Sequence, residues 1–376
     1  MKEIVVLGAG MVGRTIAWDL SRDHHVTAVD INTANLERIA ARAVSRKTAD
    51  IGDAASVRSL VSGADLVVSA VPGSLGFRVL GAVIEAGKDV VDISFFPEDA
   101  LELDDAARRR GVTAVVDCGV APGLSHMILG YHAARSEVLS FKCCVGGLPF
   151  ERVFPFEYKA PFSPADIIEE YLRPARTVEG GRVVVKPALA EVEAIEHAEL
   201  GRLEAFCTDG LRTLIKTMRV PNMVEKTIRY PGHAERIQTL KAAGFFDQDP
   251  VRVGNQSVRP IDFTSAVLFR SWQLKDEDDE FTLMLISMEA LEAGRKTRVD
   301  YEIFDRRDRR TGFSSMSRTT AFPATAAARL ILSGRFTARG VIPPEKLGAE
   351  SDCFNFVIDE LKRNGVRIDQ TSRPAG

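Results

Sequence analysis

A glycine-rich turn near the amino terminus constrains the fold more than any other feature of the sequence. The apolar run 3–7 leads into the string GAGMVG at 8–13, and the residues that follow have helical periodicity. A GxGxxG string directly after a strand and at the start of a helix is typical of a Rossmann dinucleotide-binding domain. In such a domain Gly8 allows the tight turn, Gly10 a close approach of the pyrophosphate, and Gly13 the packing of helix on strand.

Other residues predict how the nucleotide is held. The backbone at Met11 and Val12 opens the helix, where free N–H groups and the helix dipole attract phosphate. Asp30 ends the second strand, where a carboxylate accepts hydrogen bonds from the ribose hydroxyls and repels a 2′-phosphate, so NAD is favoured over NADP. Val71 and Pro72 follow a later strand and are expected near the nicotinamide. The alternatives are a helix-capping role for Asp30 and a routine turn at Pro72.

The amino-terminal part alternates short Val/Ile-rich runs with amphipathic segments, which predicts a doubly wound parallel sheet of the α/β class. The predicted strands are 3–7, 26–30, 65–71, 89–93 and 112–116, with a shorter one near Val44. The predicted helices are 11–21, 32–43, 54–62, 76–86 and 97–110.

The rest of the chain has longer strand-like stretches and fewer helices, which predicts a second domain of the α+β class. A chain of 376 residues is also long enough for two domains. We therefore expect a Rossmann domain at 1–120, an α+β substrate and dimerisation domain at 121–335, and a carboxy-terminal segment at 336–376 that returns to the Rossmann domain. Residues 371–376 are expected to be frayed.

Composition narrows the partners to small molecules. The formal charge is −3, from 49 basic and 52 acidic residues, which does not favour a nucleic-acid or membrane-surface ligand. The chain begins directly with a strand and has no long apolar window, so a cytoplasmic location is expected. The five cysteines form no CxxC pair, and the scattered histidines predict no metal site.

Several longer motifs give the sequence a wider resemblance. It resembles the saccharopine dehydrogenase family over nearly its whole length, and within that family most closely the enzymes that oxidise lysine. The motifs that carry the resemblance are SAVPGSLGF (69–77), VDISFFPE (91–98), DCGVAPGL (117–124), VGGLP (145–149), FCTDGLR (206–212) and RYPGH (229–233).

The resemblance implies both an architecture and an activity. It implies a Rossmann domain completed by carboxy-terminal residues and a central α+β domain that binds substrate and mediates contacts in a homodimer. It further implies NAD-dependent oxidative deamination of the side-chain amine of L-lysine to the 6-semialdehyde, which cyclises to piperideine-6-carboxylate. Relatives in the same family act on saccharopine or carboxynorspermidine, and either remains an alternative substrate.

Four polar residues are the candidates for handling the substrate. Arg212 matches a position that the resemblance associates with a substrate carboxylate, for which a guanidinium is well suited. Asp209 accompanies it and could hold the substrate ammonium. His233 could pass protons, since an imidazole titrates near ~6.5, and Lys159 could act as a base if burial lowered its pKa. Each could instead be structural: a loop arginine, a turn-capping aspartate, a loop histidine or a solvated lysine.

A non-catalytic NAD-sensing module is the alternative of a different class, together with a purely structural protein. The polar residues grouped in FCTDGLR and RYPGH argue against a sensor, which needs no substrate clamp. A structural protein would leave the glycine turn and Asp30 unexplained.

Overall fold

The amino-terminal part alternates strands and helices, as expected. The computed structural model describes residues 1–39, 43–161 and 164–375. The first strands are β1 (Glu3–Leu7), β2 (His25–Asp30), β3 (Val44–Thr48), β4 (Leu66–Ser69), β5 (Asp89–Asp92) and β6 (Thr113–Val115). The first helices are α1 (Met11–Leu20), α2 (Thr33–Glu37), α3 (Ala54–Val61), α4 (Gly73–Glu85) and α5 (Asp104–Arg110).

All six predicted strands are present, but two predicted helices are shorter than expected. The helix predicted at 32–43 ends at Glu37, and residues 40–42 of that prediction lie outside the described residues. The helix predicted at 97–110 begins as a 3₁₀ turn at Ala100–Leu103, capped by the Asp99 side chain. Local side-chain caps of this kind compete with helical hydrogen bonds, and periodicity does not reveal them.

The middle of the chain is richer in strands. Its helices are α6 (Leu124–Ala133), α7 (Pro164–Leu172), α8 (Leu214–Thr217), α9 (His233–Ala242) and α10 (Pro260–Trp272). Its strands are β7 (Glu137–Pro149), β8 (Ala175–Glu179), β9 (Arg182–Lys186), β10 (Glu193–His197), β11 (Gly201–Cys207), β12 (Asn222–Arg229), β13 (Val251–Val253), β14 (Gln256–Val258), β15 (Glu280–Glu292) and β16 (Arg295–Arg306).

The carboxy-terminal elements are divided between the two main sheets. They are α11 (Ser315–Leu332), β17 (Gly340–Ile342), α12 (Pro344–Ala349), α13 (Ser351–Arg363) and β18 (Arg367–Pro374). Strand β17 pairs with β6 in the first sheet, whereas β18 pairs with β16 in the second. The expectation of a frayed end from residue 371 is wrong, because Thr371 pairs with Asp300 in this ladder.

The first sheet is parallel and doubly wound. Its described strands follow the order β17-β6-β5-β4-β1-β2-β3, and every described pair in it is parallel. The strand order reverses between β1 and β4, so their connections leave in opposite directions. A crevice at the carboxyl ends of these two strands is the usual ligand site of such a sheet. This confirms the predicted Rossmann architecture.

The second sheet is mixed. Its described strands include the path β10-β11-β12-β7-β15-β16-β18, with β8 and β9 attached beside β12. Strands β12 and β7 are parallel, while β15 is antiparallel to both β7 and β16. An aromatic core that includes Tyr171, Phe206, Trp272 and Phe281 lies against this sheet. None of the described helices is both long enough and apolar enough to cross a membrane.

A buried ion pair fastens the late helix α11 to the first helix α1. The guanidinium of Arg329 donates to the Asp19 carboxylate at 2.7 Å and to its backbone carbonyl at 3.0 Å, and its Nε donates to Asp23 at 2.8 Å. The Asp19 side chain is fully buried. The helix that precedes β17 is therefore tied directly to the helix that follows the glycine turn.

Removal of this arginine is expected to destabilise the protein strongly. Arg329→Ala would leave the buried Asp19 carboxylate without its main partner, at a cost of about 3 kcal/mol in the free energy of unfolding. Urea denaturation followed by circular dichroism measures the loss. Arg110→Ala, which removes a solvent-exposed pair with Glu85, is the control and should barely move the midpoint. Equal midpoints for both variants would contradict this account.

Candidate functional site

The glycine turn has the geometry that its three glycines predict. Gly8 has a φ of +90°, which favours glycine, and a Cβ there would lie 2.3 Å from the Ala70 carbonyl oxygen. A Cβ on Gly13 would lie 2.0 Å from the Gly8 carbonyl oxygen, so α1 can pack on the turn only without a side chain. A Cβ on Gly10 would meet no described atom within 4 Å, which leaves its backbone open to the crevice.

Asp30 is fixed at the edge of this turn. Its carboxylate accepts hydrogen bonds from the backbone N–H of Ala9 at 2.7 Å and of Asn32 at 2.8 Å. The Asn35 amide adds a third contact at 3.3 Å. The carboxylate is thus oriented beside the glycine turn by bonds that do not depend on a basic side chain.

A cavity of about 700 Å³ joins the glycine turn to the second sheet. Its nucleotide end is lined by Gly8, Gly10, Met11, Val12, Gly13, Asp30, Ile31, Asn32, Asn35, Asp50, Ile51, Ala70, Val71 and Pro72. All the cofactor residues predicted from the sequence lie in that list. The α1 amino terminus has no side-chain cap, so its N–H groups are available to a phosphate. These features fit a dinucleotide.

The opposite end of the cavity, called the inner chamber here, is polar. Its lining includes Tyr158, Asp166, Glu169, Glu170, Arg173, Thr208, Asp209, Gly210, Glu225, Thr227 and Arg229. Three of these, Glu225, Thr227 and Arg229, alternate along β12. Alternate residues of a strand point to the same face, so β12 turns a polar stripe toward the cavity.

Arg229 is held by several neighbours. Its guanidinium and Nε donate to the Ile228 carbonyl at 2.9 Å, to the Tyr171 hydroxyl at 3.3 Å and to the Glu170 carboxylate at 3.3 Å. It also lies over the Tyr158 ring, 4.4 Å from the ring centroid. The Glu170 carboxylate and the two tyrosines therefore largely balance the charge of Arg229.

Arg173 keeps donor capacity toward the chamber. Its guanidinium lies 5.0 Å from the centroid of the Phe95 ring, and its buried Nη1 has no hydrogen-bond partner among the described residues. A buried donor without a partner is costly. The arrangement is therefore suited to an anionic group of a ligand.

Glu225 is the most unusual carboxylate of the chamber. It is 3% exposed, and its Oε2 has no hydrogen-bond partner among the described residues. Burial raises the pKa of Glu225 to about 7. Its carboxyl group occupies the space beside Gly210, where an added Cβ would lie 1.6 Å from Oε1.

His233 does not lie against the cavity. It is fully buried at the start of α9, where Nδ1 donates to the Phe156 carbonyl at 3.0 Å and Nε2 accepts from the Tyr171 hydroxyl at 2.9 Å. Burial, with a smaller contribution from nearby Arg229, lowers the pKa of His233 to about 3. Both ring nitrogens are engaged and the ring stays neutral, so the predicted role of proton carrier is not supported by this geometry.

Arg212 and Asp209 do not act together in the structure, because each is bound to a different residue. Arg212 pairs with Asp117 at 3.0 Å and donates to the Phe96 carbonyl, so it joins the loop after β11 to the first sheet. It does not line the described cavity, and the predicted carboxylate clamp is not found there. Asp209 does line the chamber, but it accepts two bonds from the Arg176 guanidinium, at 2.7 and 2.8 Å.

Lys159 lies outside the cavity. Its ammonium donates to the Ser271 carbonyl at 3.2 Å in a half-buried position. The predicted role as a base therefore has no geometric support.

The residues that sequence reasoning missed are Arg173, Glu225 and Arg229. The polar alternation of NMVEKTIR along an otherwise buried strand is the signal that could have pointed to the last two.

The comparisons with known proteins agree with this architecture. The family model described as saccharopine dehydrogenase NADP binding domain matches residues 4–115, and the one described as saccharopine dehydrogenase C-terminal domain matches residues 119–366. The fold is that of a protein with a Rossmann-type nucleotide-binding domain and a second, mixed-sheet domain. More specifically, the chain belongs to the saccharopine dehydrogenase family.

Similar proteins share low identity over long alignments. Saccharopine dehydrogenase [NADP(+), L-glutamate-forming] of Schizosaccharomyces pombe is 23% identical, over 98% of this chain and 99% of the relative. Alpha-aminoadipic semialdehyde synthase of Arabidopsis thaliana is 27% identical, over 61% of this chain but only 23% of the relative. The chain also spans 48% of the mitochondrial mouse enzyme of that name, with 23% identity.

A solved structure shows the same fold. Apo saccharopine dehydrogenase (L-Glu forming) from Saccharomyces cerevisiae aligns with a TM-score of 0.80 at 18% identity. The alignment covers 99% of this chain and all of the yeast one. The likeness therefore extends over both sheets and the carboxy-terminal elements.

The buried neutral histidine predicts an acid sensitivity of the fold. Because the pKa of His233 is about 3 in the folded protein and ~6.5 when unfolded, stability falls as pH drops from 6.5 toward 3. In His233→Gln this contribution is absent. Urea unfolding at pH 7 and pH 4.5 should show a smaller acid loss in the variant, by about 2 kcal/mol. An identical loss in both proteins would contradict the assignment.

Proposed function

We propose that this protein catalyses the NAD-dependent oxidative deamination of the side-chain amine of L-lysine. Lysine, NAD⁺ and water give the 6-semialdehyde, ammonium, NADH and a proton, and the semialdehyde cyclises to piperideine-6-carboxylate. The nicotinamide supplies the hydride acceptor when the cofactor is bound. The protein must supply an anion anchor, a place for the amine and a site largely closed to water.

The charge of the inner chamber is the observation that carries this proposal. Its described lining has five carboxylates and two guanidiniums, and the guanidinium of Arg176, which is not part of the lining, pairs with one of the five, Asp209. Arg229 is engaged with Glu170 and two tyrosines, which leaves Arg173 as the guanidinium with unused donor capacity. One anion anchor beside several carboxylates matches lysine, which has one carboxylate and two ammonium groups.

Saccharopine is the second candidate, because relatives of similar length carry that name. Saccharopine has three carboxylates, so it would place two more negative charges against an already acidic chamber. Carboxynorspermidine-type substrates have a single carboxylate and more amines, and they stay compatible with the charge. Size of the amine, rather than charge, would then distinguish them from lysine.

The proposal of NAD rests on Asp30. A 2′-phosphate would meet this carboxylate, and Asp50 also lines the nucleotide end. No arginine or lysine occurs among the described residues that line this end. The family model and the S. pombe relative are described with NADP, so NAD would be a departure in this chain. The homodimer and the cytoplasmic location expected from the sequence stay predictions.

A substrate panel tests the proposed function. Purified protein is mixed with NAD⁺ or NADP⁺ and with L-lysine, saccharopine or carboxynorspermidine at mildly alkaline pH, and the absorbance of the reduced cofactor is followed. Reduction of NAD⁺ that depends on lysine would support the proposal. Turnover of saccharopine alone would replace it by the second candidate. Cofactor binding without turnover of any amine would favour the sensor alternative.

Asp30 is expected to set the cofactor preference. Asp30→Ser removes the carboxylate that opposes a 2′-phosphate, so the ratio of kcat/KM for NAD⁺ to that for NADP⁺ should fall by at least about tenfold. Asp53→Ser is the matched control, since Asp53 also accepts a backbone N–H but lies outside the cavity. An unchanged ratio in Asp30→Ser would remove Asp30 from this role.

Arg173 is expected to anchor the substrate carboxylate. Arg173→Met should raise KM for lysine on the order of 10- to 100-fold, the loss of a charged hydrogen bond, with a smaller change in kcat. Arg202→Met, at an exposed position on β11, controls for the loss of a positive charge. If Arg173→Met keeps the KM of the unmodified protein, another residue holds the carboxylate.

A further inference from the structure

We propose that Glu225 accepts the proton of the substrate ammonium and so makes the amine ready for oxidation. This inference deepens the proposed function and rests on it. It identifies Glu225 as a catalytic residue that touches the substrate nitrogen.

The position of the carboxyl group supports this role. Glu225 is the first residue of the polar stripe on β12, and its side chain fills the space left by Gly210. Its Oε2 is buried, without a hydrogen-bond partner among the described residues. The residue belongs to the cavity wall, so a ligand in the inner chamber can reach the group.

Two other carboxylates of the chamber are paired with arginines. Asp209 is bound by both arms of the Arg176 guanidinium. Glu170 contacts Arg229 at 3.3 Å. A base must have a lone pair free to receive the proton. Of these three, Glu225 combines deep burial with an oxygen that has no such partner.

The surroundings of Glu225 tune its proton affinity. Burial has the largest effect and raises its pKa to about 7, while His126 on α6 acts in the opposite direction. Glu170 on α7, Asp209 after β11 and Asp117 after β6 add smaller upward contributions, and the thiols of Cys143 and Cys144 lie nearby on β7.

His126 also influences the proton affinity of Glu225. Its Nε2 donates to the Gly210 carbonyl at 3.1 Å, and its Nδ1 lies 3.7 Å from the Glu345 carboxylate. Burial lowers the pKa of His126, but the carboxylates of Glu345, Glu225 and Asp117 together outweigh burial and raise it. His126 in turn lowers the pKa of Glu225 and so favours its ionised form, the form that can accept a proton.

The proposed reaction begins with proton transfer to Glu225. The substrate R–CH₂–NH₃⁺ gives a proton to the Glu225 carboxylate and becomes R–CH₂–NH₂. A bound nicotinamide would accept a hydride from the adjacent carbon, which would leave the iminium R–CH=NH₂⁺. Water adds to this carbon, and the adduct divides into the aldehyde and ammonium. The proton held by Glu225 is the one that the overall reaction releases.

The variant Glu225→Gln keeps the shape of the side chain but cannot accept this proton. We expect kcat/KM for lysine to fall at least about 100-fold at pH 7.5. An alkyl ammonium loses its proton to water near pH ~10.4. The deficit of the variant should therefore shrink as pH rises toward 10, because free amine then enters from solution. In the unmodified protein kcat/KM should fall as pH drops through about 7.

Glu280→Gln is the matched control. Glu280 is 1% exposed and burial raises its pKa, but it bonds Ser315 and lies outside the cavity. This variant should keep the activity and pH profile of the unmodified protein. A ratio of kcat/KM between Glu225→Gln and the unmodified protein that stays constant from pH 7 to 10 would indicate a merely structural role and overturn the proposal.

A binding measurement separates this inference from the proposed function. Calorimetry on cofactor-free protein compares L-lysine with L-norleucine, which lacks the side-chain amine. The unmodified protein should prefer lysine at least about tenfold, and Glu225→Gln should lose that preference. If the unmodified protein oxidises no amine, the proposed function fails while this comparison still tests Glu225. If Glu225→Gln retains the preference or full turnover, the inference alone is wrong.

Discussion

The nucleotide end of the cavity depends on the close packing of α1 against the glycine turn that precedes it. A Cβ on Gly13 would lie 2.0 Å from the Gly8 carbonyl oxygen, and a Cβ on Gly8 would lie 2.3 Å from the carbonyl oxygen of Ala70, just after β4. This packing directs the amino terminus of α1 into the crevice at the reversal of the first sheet. Helix α11 lies on α1 through the buried Arg329–Asp19 pair, and the chain after α11 supplies β17 to the same sheet.

The buried carboxylates of the inner chamber differ in how the cost of their burial is offset. Removing a carboxylate from water is costly unless it is paired or protonated. Asp209 and Glu170 are paired with arginines, whereas Glu225 has no arginine partner among the described residues and burial raises its pKa to about 7. Two groups that line the same chamber, a donor on Arg173 and an acceptor on Glu225, thus lack hydrogen-bond partners among the described residues. A zwitterionic ligand with an extra amine would satisfy both, which connects the electrostatics of the chamber to its proposed substrate.

Membership of the saccharopine dehydrogenase family fixes the architecture but leaves the chemistry of the chamber to this chain. The likeness to the yeast enzyme extends over the whole fold at 18% identity, a level at which backbone is shared and side chains are largely replaced. The acidic balance of the chamber and the carboxylate at Asp30 are properties of this chain's own residues. They are the observations on which the proposed reaction with lysine and NAD rests.

The sequence by itself determined the first sheet and its nucleotide end. Gly8, Gly10, Gly13 and Asp30 are local signals, because strand, turn and helix follow one another within thirty residues. The inner chamber could not be predicted in this way, since α7, β12 and the loop after β11 meet only through the second sheet. The family motifs that contain Arg212 (206–212) and His233 (229–233) also contain Asp209 and Arg229, which line the inner chamber. Tertiary packing decided that Arg212 pairs with Asp117 and that His233 is enclosed by aromatic rings, while Arg173 and Glu225 face the cavity. Whether a polar side chain is paired, enclosed or open to a ligand depends on residues distant in sequence, and that is the physical reason the structure was needed.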